Sequence, residues 1–450
     1  MTGARVQAAM QQRPGRARRP NGVVVAAAVA AAAAMAAAGG AWATSPAAGG
    51  SSAAPKAVAK NTNTSAQTAT AAALGDLGLA LLRDAPGVNA VVSPLAVATV
   101  LGMVQSGTTG ATEREIEALF GSAIDGRRAM RQALPALSAQ VRAGGGTADQ
   151  AATLKQAARV WIDPTVARAV PPSFQRRLAQ RHGADATVLS FAEPEAARAK
   201  INQWTAEHTG GRVTELLPAG SIGQSTQVTL TAAVHFRAAW DKRFDAAQTE
   251  PRPFQTAAGT QASVPTLNDE RAVTQAVVDG TQLYTLPFAA AYDLVLALPA
   301  AERSVDALLK DLSGGTLARW RSTLAAPAAK APRCSFSMPK VAFAPKAASI
   351  KASLERLGIK TAFTSKAELR PMLGRASPGS HLDDVLQAAG VAFDEQGGEA
   401  VATAAATVKP KSLAVPTACA VDRAFAFVVV HRDTGVPLFI GRVGDPTRSE

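Results

Sequence analysis

The chain has 450 residues, 47% apolar and only 18% charged, so it can bury a large core and is not a disordered polyelectrolyte. Its formal charge of +13 invites a nucleic-acid reading, but five arginines sit in the first 19 residues and no acidic side chain precedes Asp76; without residues 1–43 a mild +8 remains, with no dense basic stripe and no call for nucleic acid as a partner. Two cysteines, Cys334 and Cys419, exclude a disulfide scaffold, and five histidines (His182, His208, His235, His381, His431) in no ligand spacing argue against a metal site or other cofactor.

Arg13, Arg16, Arg18 and Arg19 precede an uncharged run over residues 23–38, and Ala41-Trp42-Ala43 supplies the small-x-small pattern that signal peptidase reads. Residues 1–43 are therefore expected to be an export signal peptide. An uncleaved anchor is the alternative, but the run is short and mostly alanine, below what a spanning helix needs, so no membrane attachment is expected once it is cleaved. Arg18-Arg19 leaves a twin-arginine route open. Residues 44–68 are Ala, Ser, Gly, Thr, Asn and Pro with almost no bulky apolar side chain, the composition of a flexible linker, and residues 69–450 form the folded domain.

Ser93-Pro94 followed by Leu95, Val97, Val100, Leu101 and Val104 predicts a capped, buried helix. Thr112-Glu113-Arg114-Glu115 reads as a capping box opening a second helix that Gly121 stops. A further helix ends at Gly210-Gly211, residues 227–236 read as a long buried strand, and residues 294–298 as another closed by Pro299. Residues 425–431 and 436–443 are β-rich runs around Arg432-Asp433-Thr434-Gly435, a hairpin signal. No composition break divides residues 71–446, so one large α+β domain is expected. Nothing marks an enzyme: there is no GxSxG or GxxxxGK, and Ser380-His381-x-Asp383 is only an adjacency, because triad members meet through the fold.

Between Asp394 and Phe425 lie 30 residues that do not behave like an ordinary connection. Glu395-Gln396-Gly397-Gly398-Glu399 opens the segment with a pair of glycines. Alternate positions after it are all small and apolar: Gly398, Ala400, Ala402, Ala404, Ala406 and Val408. The intervening face is more polar. Period-2 patterning suits a strand with one side on a core, so the segment reads as a loop able to become a strand; an alanine-rich surface helix or linker fits the same residues.

Glu395-Gln396-Gly397 with the Ala/Thr run after it resembles the reactive-loop hinge of the serpins. Ser93-Pro94-Leu95, Ile201-Asn202-x-Trp204, Thr209-Gly210-Gly211-Arg212, Leu216-Leu217-Pro218, residues 236–240 with Phe244-Asp245, Met338-Pro339-Lys340, Leu357-Gly358-Ile359 and Phe439-Ile440-Gly441-Arg442-Val443 with Pro446 match in order. The chain is similar to the exported, inhibitory type of that family found in bacteria. The resemblance implies a serpin fold with three β-sheets, eight or nine helices and an exposed loop presented as bait. It further implies a monomeric, secreted or periplasmic suicide substrate for a trypsin-like serine protease. Counted from the hinge, Glu395 stands seventeen positions before a reactive bond at Lys411-Ser412. Lys409 competes, but its bond runs into Pro410. A non-inhibitory binding protein and an inhibitor of papain-like cysteine proteases are the other functions that the resemblance allows.

Two departures accompany it. Gly398 stands where Thr or Ser is usual. The polar network under the parting strands is replaced at Ala96, Ala232 and Gln387, which suggests an apolar repacking, because one partner left buried alone would cost more than removing the set. By the same resemblance Cys334 and Cys419 lie on neighbouring strands beside the loop, which implies a disulfide that ties down the strand after it.

Overall fold

The computed structural model describes residues 22–31, 58–143, 152–326, 331–398 and 417–448. Gly22–Ala31 forms strand β1, and helix α1 (Val58–Asp84) starts inside the stretch whose composition reads as a linker. Alanine is the strongest helix former, so a run poor in bulky side chains still extends a helix that buried Leu74, Leu77 and Leu81 anchor. After β2 (Ala90–Val92), every residue of α2 (Pro94–Gln105) is buried, and the Ser93 hydroxyl caps it by accepting the Ala96 amide at 3.4 Å.

Helix α3 (Gly110–Ala118) begins earlier than the capping-box pattern predicts. Its first amides, Ala111 and Thr112, donate to the Glu368 carboxylate, while the Thr112 hydroxyl accepts the Glu368 amide at 3.0 Å. Glu115 does not reach back to its own helix; its carboxylate accepts the Lys360 and Thr361 amides at 2.8 and 2.7 Å. The orphan amides of the helix start are thus satisfied from a segment some 250 residues away in sequence, which no local pattern reports.

Helices α4 (Ala123–Arg128) and α5 (Leu134–Ala143) join through a π-turn into one rod. β3 (Ala152–Ile162), the single turn α6 (Pro164–Ala167), α7 (Pro172–His182), β4 (Ala184–Val188), α8 (Pro194–His208) and β5 (Thr226–Ala239) follow. Strands β6 (Glu250–Gln255), β7 (Gln261–Ala272), β8 (Thr274–Val278), β9 (Thr281–Pro287) and β10 (Tyr292–Leu298) lead to α9 (Val305–Asp311) and α10 (Gly314–Ala325). Then come β11 (Arg333–Pro339), β12 (Val341–Ser349), α11 (Lys351–Arg356), the single turn α12 (Arg370–Leu373), β13 (His381–Phe393) and β14 (Gly397–Gly398). The chain closes with β15 (Thr417–Ala420), β16 (Phe425–His431) and β17 (Pro437–Val443). With α4 and α5 as one rod, nine helices longer than a single turn stand among the described residues.

Three sheets organise these elements, as expected. The central sheet runs β12-β13-β1-β5-β3-β4, with β14 also on β5; a second runs β2-β17-β16-β10-β9-β8, and a third β15-β11-β7-β6. On one face of the central sheet lies the main core, into which α2 and the second sheet pack; on the other, α8 places Ile201 and Trp204 over Trp161, Ala233 and Leu386. The Asn202 side chain fixes the chain beyond α8, accepting the Leu216 and Leu217 amides and donating to the Leu217 carbonyl.

The sheet's middle position is held by β1. Gly22–Ala31 lies parallel to both neighbours, pairing with β5 from Gly22↔Thr226 to Ala31↔Phe236 and with β13 from Gly22↔His381 to Ala30↔Gly390. Val23 and Val25 reach the main core and Val24 and Ala26 the face under α8, each at most 1% exposed. Full burial of a valine is worth roughly 1.5–3 kcal/mol, so an apolar run flanked by polar chain gains by pairing here. This strand falls within the stretch read from sequence as a leader.

Candidate functional site

The site is the turn from β13 into the loop, together with the gap between β5 and β13 that the turn overlooks. Asp394 builds the turn: its carboxylate accepts the Gln396 amide at 2.8 Å and the Gly397 amide at 3.2 Å, and its own amide donates to the Gly397 carbonyl at 3.1 Å. The Trp240 indole donates to the Asp394 carbonyl at 2.8 Å while its ring stacks on Phe288 at 4.5 Å, so the turn rests on a rigid aromatic floor. Gly397 has φ +142°, and a Cβ there would stand 2.2 Å from the Ala238 carbonyl oxygen, so only glycine fits.

Glu395 is clamped from one side. Both its carboxylate oxygens accept from the Lys340 ammonium at 2.9 Å, one also accepts the Thr249 hydroxyl at 2.8 Å, and its carbonyl accepts the Phe244 amide at 2.8 Å. Burial pushes the Glu395 carboxyl up, but Lys340 and Thr249 outweigh it and hold the group below the ordinary glutamate range. The hinge has therefore turned onto the sheet: Gly397 pairs with Ala239 and Gly398 with Ala238, antiparallel. Ala400, Ala402, Ala404, Ala406, Val408, Lys411 and Ser412 lie outside the described residues.

Beneath the gap, Ala96 and Ala232 are fully buried in the main core, and Ala232 and Gln387 flank the same residue of β1, Ala27. The apolar repacking expected there is incomplete. Gln387 is 5% exposed, and its side-chain oxygen accepts no hydrogen bond among the described residues. Cys334 and Cys419 are disulfide-bonded, with Cα atoms 5.9 Å apart, within the span such bridges need. They sit on the adjacent parallel strands β11 and β15, so the bridge anchors the strand that follows the loop.

The Ser380-His381-Asp383 adjacency is dismantled by the fold. Ser380 is fully buried and its hydroxyl donates to Gln227 and the Ala376 carbonyl, while His381 faces Asp383 at 3.4 Å. Among the described residues no cluster of His, Cys, Asp or Glu could hold a metal ion, and no helix is long and apolar enough to cross a membrane. Sequence reasoning missed Trp240 and Thr249 as supports of the hinge; a buried tryptophan beside the Phe244-Asp245 motif was the available signal.

Residues 72–446 match the family model described as Serpin (serine protease inhibitor). Serpin-Z3 of Arabidopsis thaliana is 30% identical over 380 residues, covering 81% of this chain and 93% of that protein. It is a plant protein and lends nothing to a bacterial origin. Among solved structures, human thyroxine-binding globulin complexed with thyroxine superposes with a TM-score of 0.72 at 20% identity, covering 85% of this chain and all of that one. Arabidopsis AtSerpin1 in its native stressed conformation gives 0.71 at 21%, covering 86% and 99%. With a family model spanning most of the chain, three sheets in this order and a glycine hinge turned onto the central one, the chain belongs to the serpin family.

Proposed function

We propose that this serpin inhibits a trypsin-like serine protease as a suicide substrate, cleaved at Lys411-Ser412. The observation that carries the reading is the register of the hinge. Gly397 and Gly398 pair with Ala239 and Ala238. Continued one residue at a time, that register sets Ala400 against Phe236, Ala402 against Val234, Ala404 against Ala232, Ala406 against Leu230 and Val408 against Val228, every partner in the main core and at most 1% exposed. Directly opposed residues of an antiparallel pair share a face, so the small side chains of the loop are the ones that enter the core. The same register brings Pro410 to Thr226, the first residue of β5, and leaves Lys411 just past the end of the sheet.

The chemistry follows. The protease serine oxygen attacks the Lys411 carbonyl carbon, the Lys411–Ser412 bond breaks, an ester forms, and the serine proton leaves on the new Ser412 amine. The freed loop zips into the sheet down to Val408 and carries the acylated protease to the far end, where its distortion prevents water from releasing it. The lysine suits an acidic specificity pocket, and Ser412 is small enough for the primed side. The arginine-rich leader and Ala41-Trp42-Ala43 support export to a secreted or periplasmic site of action. With its leader removed, the protein incubated with trypsin should give a covalent band at the summed mass on a denaturing gel. Lys411→Ala should abolish the band and Lys409→Ala should leave it; cleavage without any band, across protease ratios, overturns the inhibitory reading.

A further inference from the structure

The gap that the cleaved loop must enter is already filled, and by this chain's own N-terminal segment. β1 pairs with β5 from Thr226 to Phe236, with a register shift that skips Gln227, and the hinge pairs with Ala238 and Ala239, so together they line this edge of β5 along nearly its whole length. An inserted loop needs the same positions. Val23 opposes Val228 and Val25 opposes Leu230, where the register of the hinge would bring Val408 and Ala406. The two cannot merge into one strand either: β1 runs parallel to β5, whereas the loop, turning back from the end of β13, runs antiparallel.

β1 is built as a central strand and not as a surface contact. It has partners along both edges, and its first five residues are buried, with Val23, Val24, Val25 and Ala26 at most 1% exposed. At its start the Gly22 amide donates to the Ser225 carbonyl at 3.0 Å, and a Cβ on Gly22 would collide with the Asp383 carboxylate. A larger residue at position 22 would therefore require the Asp383 side chain to move aside.

We propose that Gly22–Ala31 is an internal competitor of the reactive loop, so that the chain bearing its leader is cleaved by its target protease as a mere substrate and becomes an inhibitor only after residues 1–43 are removed. The inference rests on the loop-insertion reading above. While the segment is covalently attached, its effective concentration at the gap is on the order of millimolar; once cut free it dilutes to that of any solute, and the loop, still tethered to β13, wins the competition. Processing of the leader is on this account an activation step as well as a step of export.

Two measurements on the full chain test this and separate it from the inhibitory reading. Hydrogen exchange on the intact protein should show the amides of residues 22–31 exchanging at least ~10²-fold more slowly than an unstructured peptide, as central strands do. Exchange at the unstructured rate overturns the proposal. With trypsin, the full chain should be cut in its loop without a covalent band, whereas full-chain Val25→Asp should form the band, because a carboxylate cannot occupy a position with no exposure and β1 must leave. Equal bands from both proteins overturn the competitor and leave inhibition standing. Cleavage without a band in both, with residues 22–31 protected in the wild type and unprotected in Val25→Asp, overturns the inhibitory reading and with it the activation step, while upholding occupancy of the gap.

Discussion

Removing the disulfide with Cys334→Ala and Cys419→Ala together perturbs one covalent link and introduces no buried hydroxyl, since both sulfurs lie within about 1% exposure. The bridge closes a loop with a sequence separation of 85. Treated as lost loop-closure entropy in the unfolded chain, that closure is worth about 4–5 kcal/mol at 25 °C, and native bridges typically deliver 2–5 kcal/mol. Its local effect is distinct. β15 has four residues and, among the described residues, stands at the edge of its sheet and pairs only with β11, through Cys334↔Thr417 to Ser337↔Ala420. Without the bridge these few pairs and the Val421 amide to the Ser337 carbonyl, 2.8 Å, hold the strand after the loop. The double variant should therefore unfold at lower urea, by about 2–4 kcal/mol, and leader-free protein should lose inhibitory capacity several-fold faster on warm incubation, as β15 peels away and the uncut loop slips into the sheet. Tryptophan fluorescence reads the first and residual covalent complex the second. Stability within about 0.5 kcal/mol of wild type would refute the closure argument. A lower stability with an unchanged half-life of capacity would refute the claim that β15 limits the loss.

Three further outcomes follow from single positions. Gly397→Ala places a methyl 2.2 Å from the Ala238 oxygen at a positive φ, so it should expel the hinge from β5, destabilise by about 1–3 kcal/mol in thermal unfolding, and slow complex formation. Ala404→Arg sets a long cation against fully buried Ala232 and should turn inhibitor into substrate, read on the gel as cleaved protein replacing the band. Burial, with Arg181 adding to it, lowers the His182 pKa from 6.5 to about 4. The folded form then binds fewer protons than the unfolded chain between those values, so stability is full above pH 6.5 and is lost as pH falls toward 4, by up to about 3 kcal/mol. Urea midpoints across that range should flatten in His182→Asn.

Much of the site was legible because its pattern is local. The alternation from Gly398 to Val408 and the glycine pair at the hinge declare a segment able to become a strand, and on the insertion proposed above the register of Gly397 and Gly398 sets those small residues against the core-facing side of β5. What sits around the hinge was not legible. Glu395 is an ordinary acidic residue until the link between β11 and β12 and the turn before β6 bring Lys340 and Thr249 to it. Gln387 reads as one member of a vanished polar set, and only packing reveals that its oxygen finds no donor among the described residues.

Composition and order of motifs thus determined the family, the α+β class and the existence of an apolar N-terminal run. They could not say where that run goes. An apolar segment announces what it must bury, whereas the partner is chosen by backbone groups left open elsewhere in the fold: here, two parallel strands whose facing edges lie one strand apart. Pairing at such separations is set by tertiary geometry alone, which is why the sequence read residues 22–31 as an address and the structure reads them as the middle strand of the central sheet.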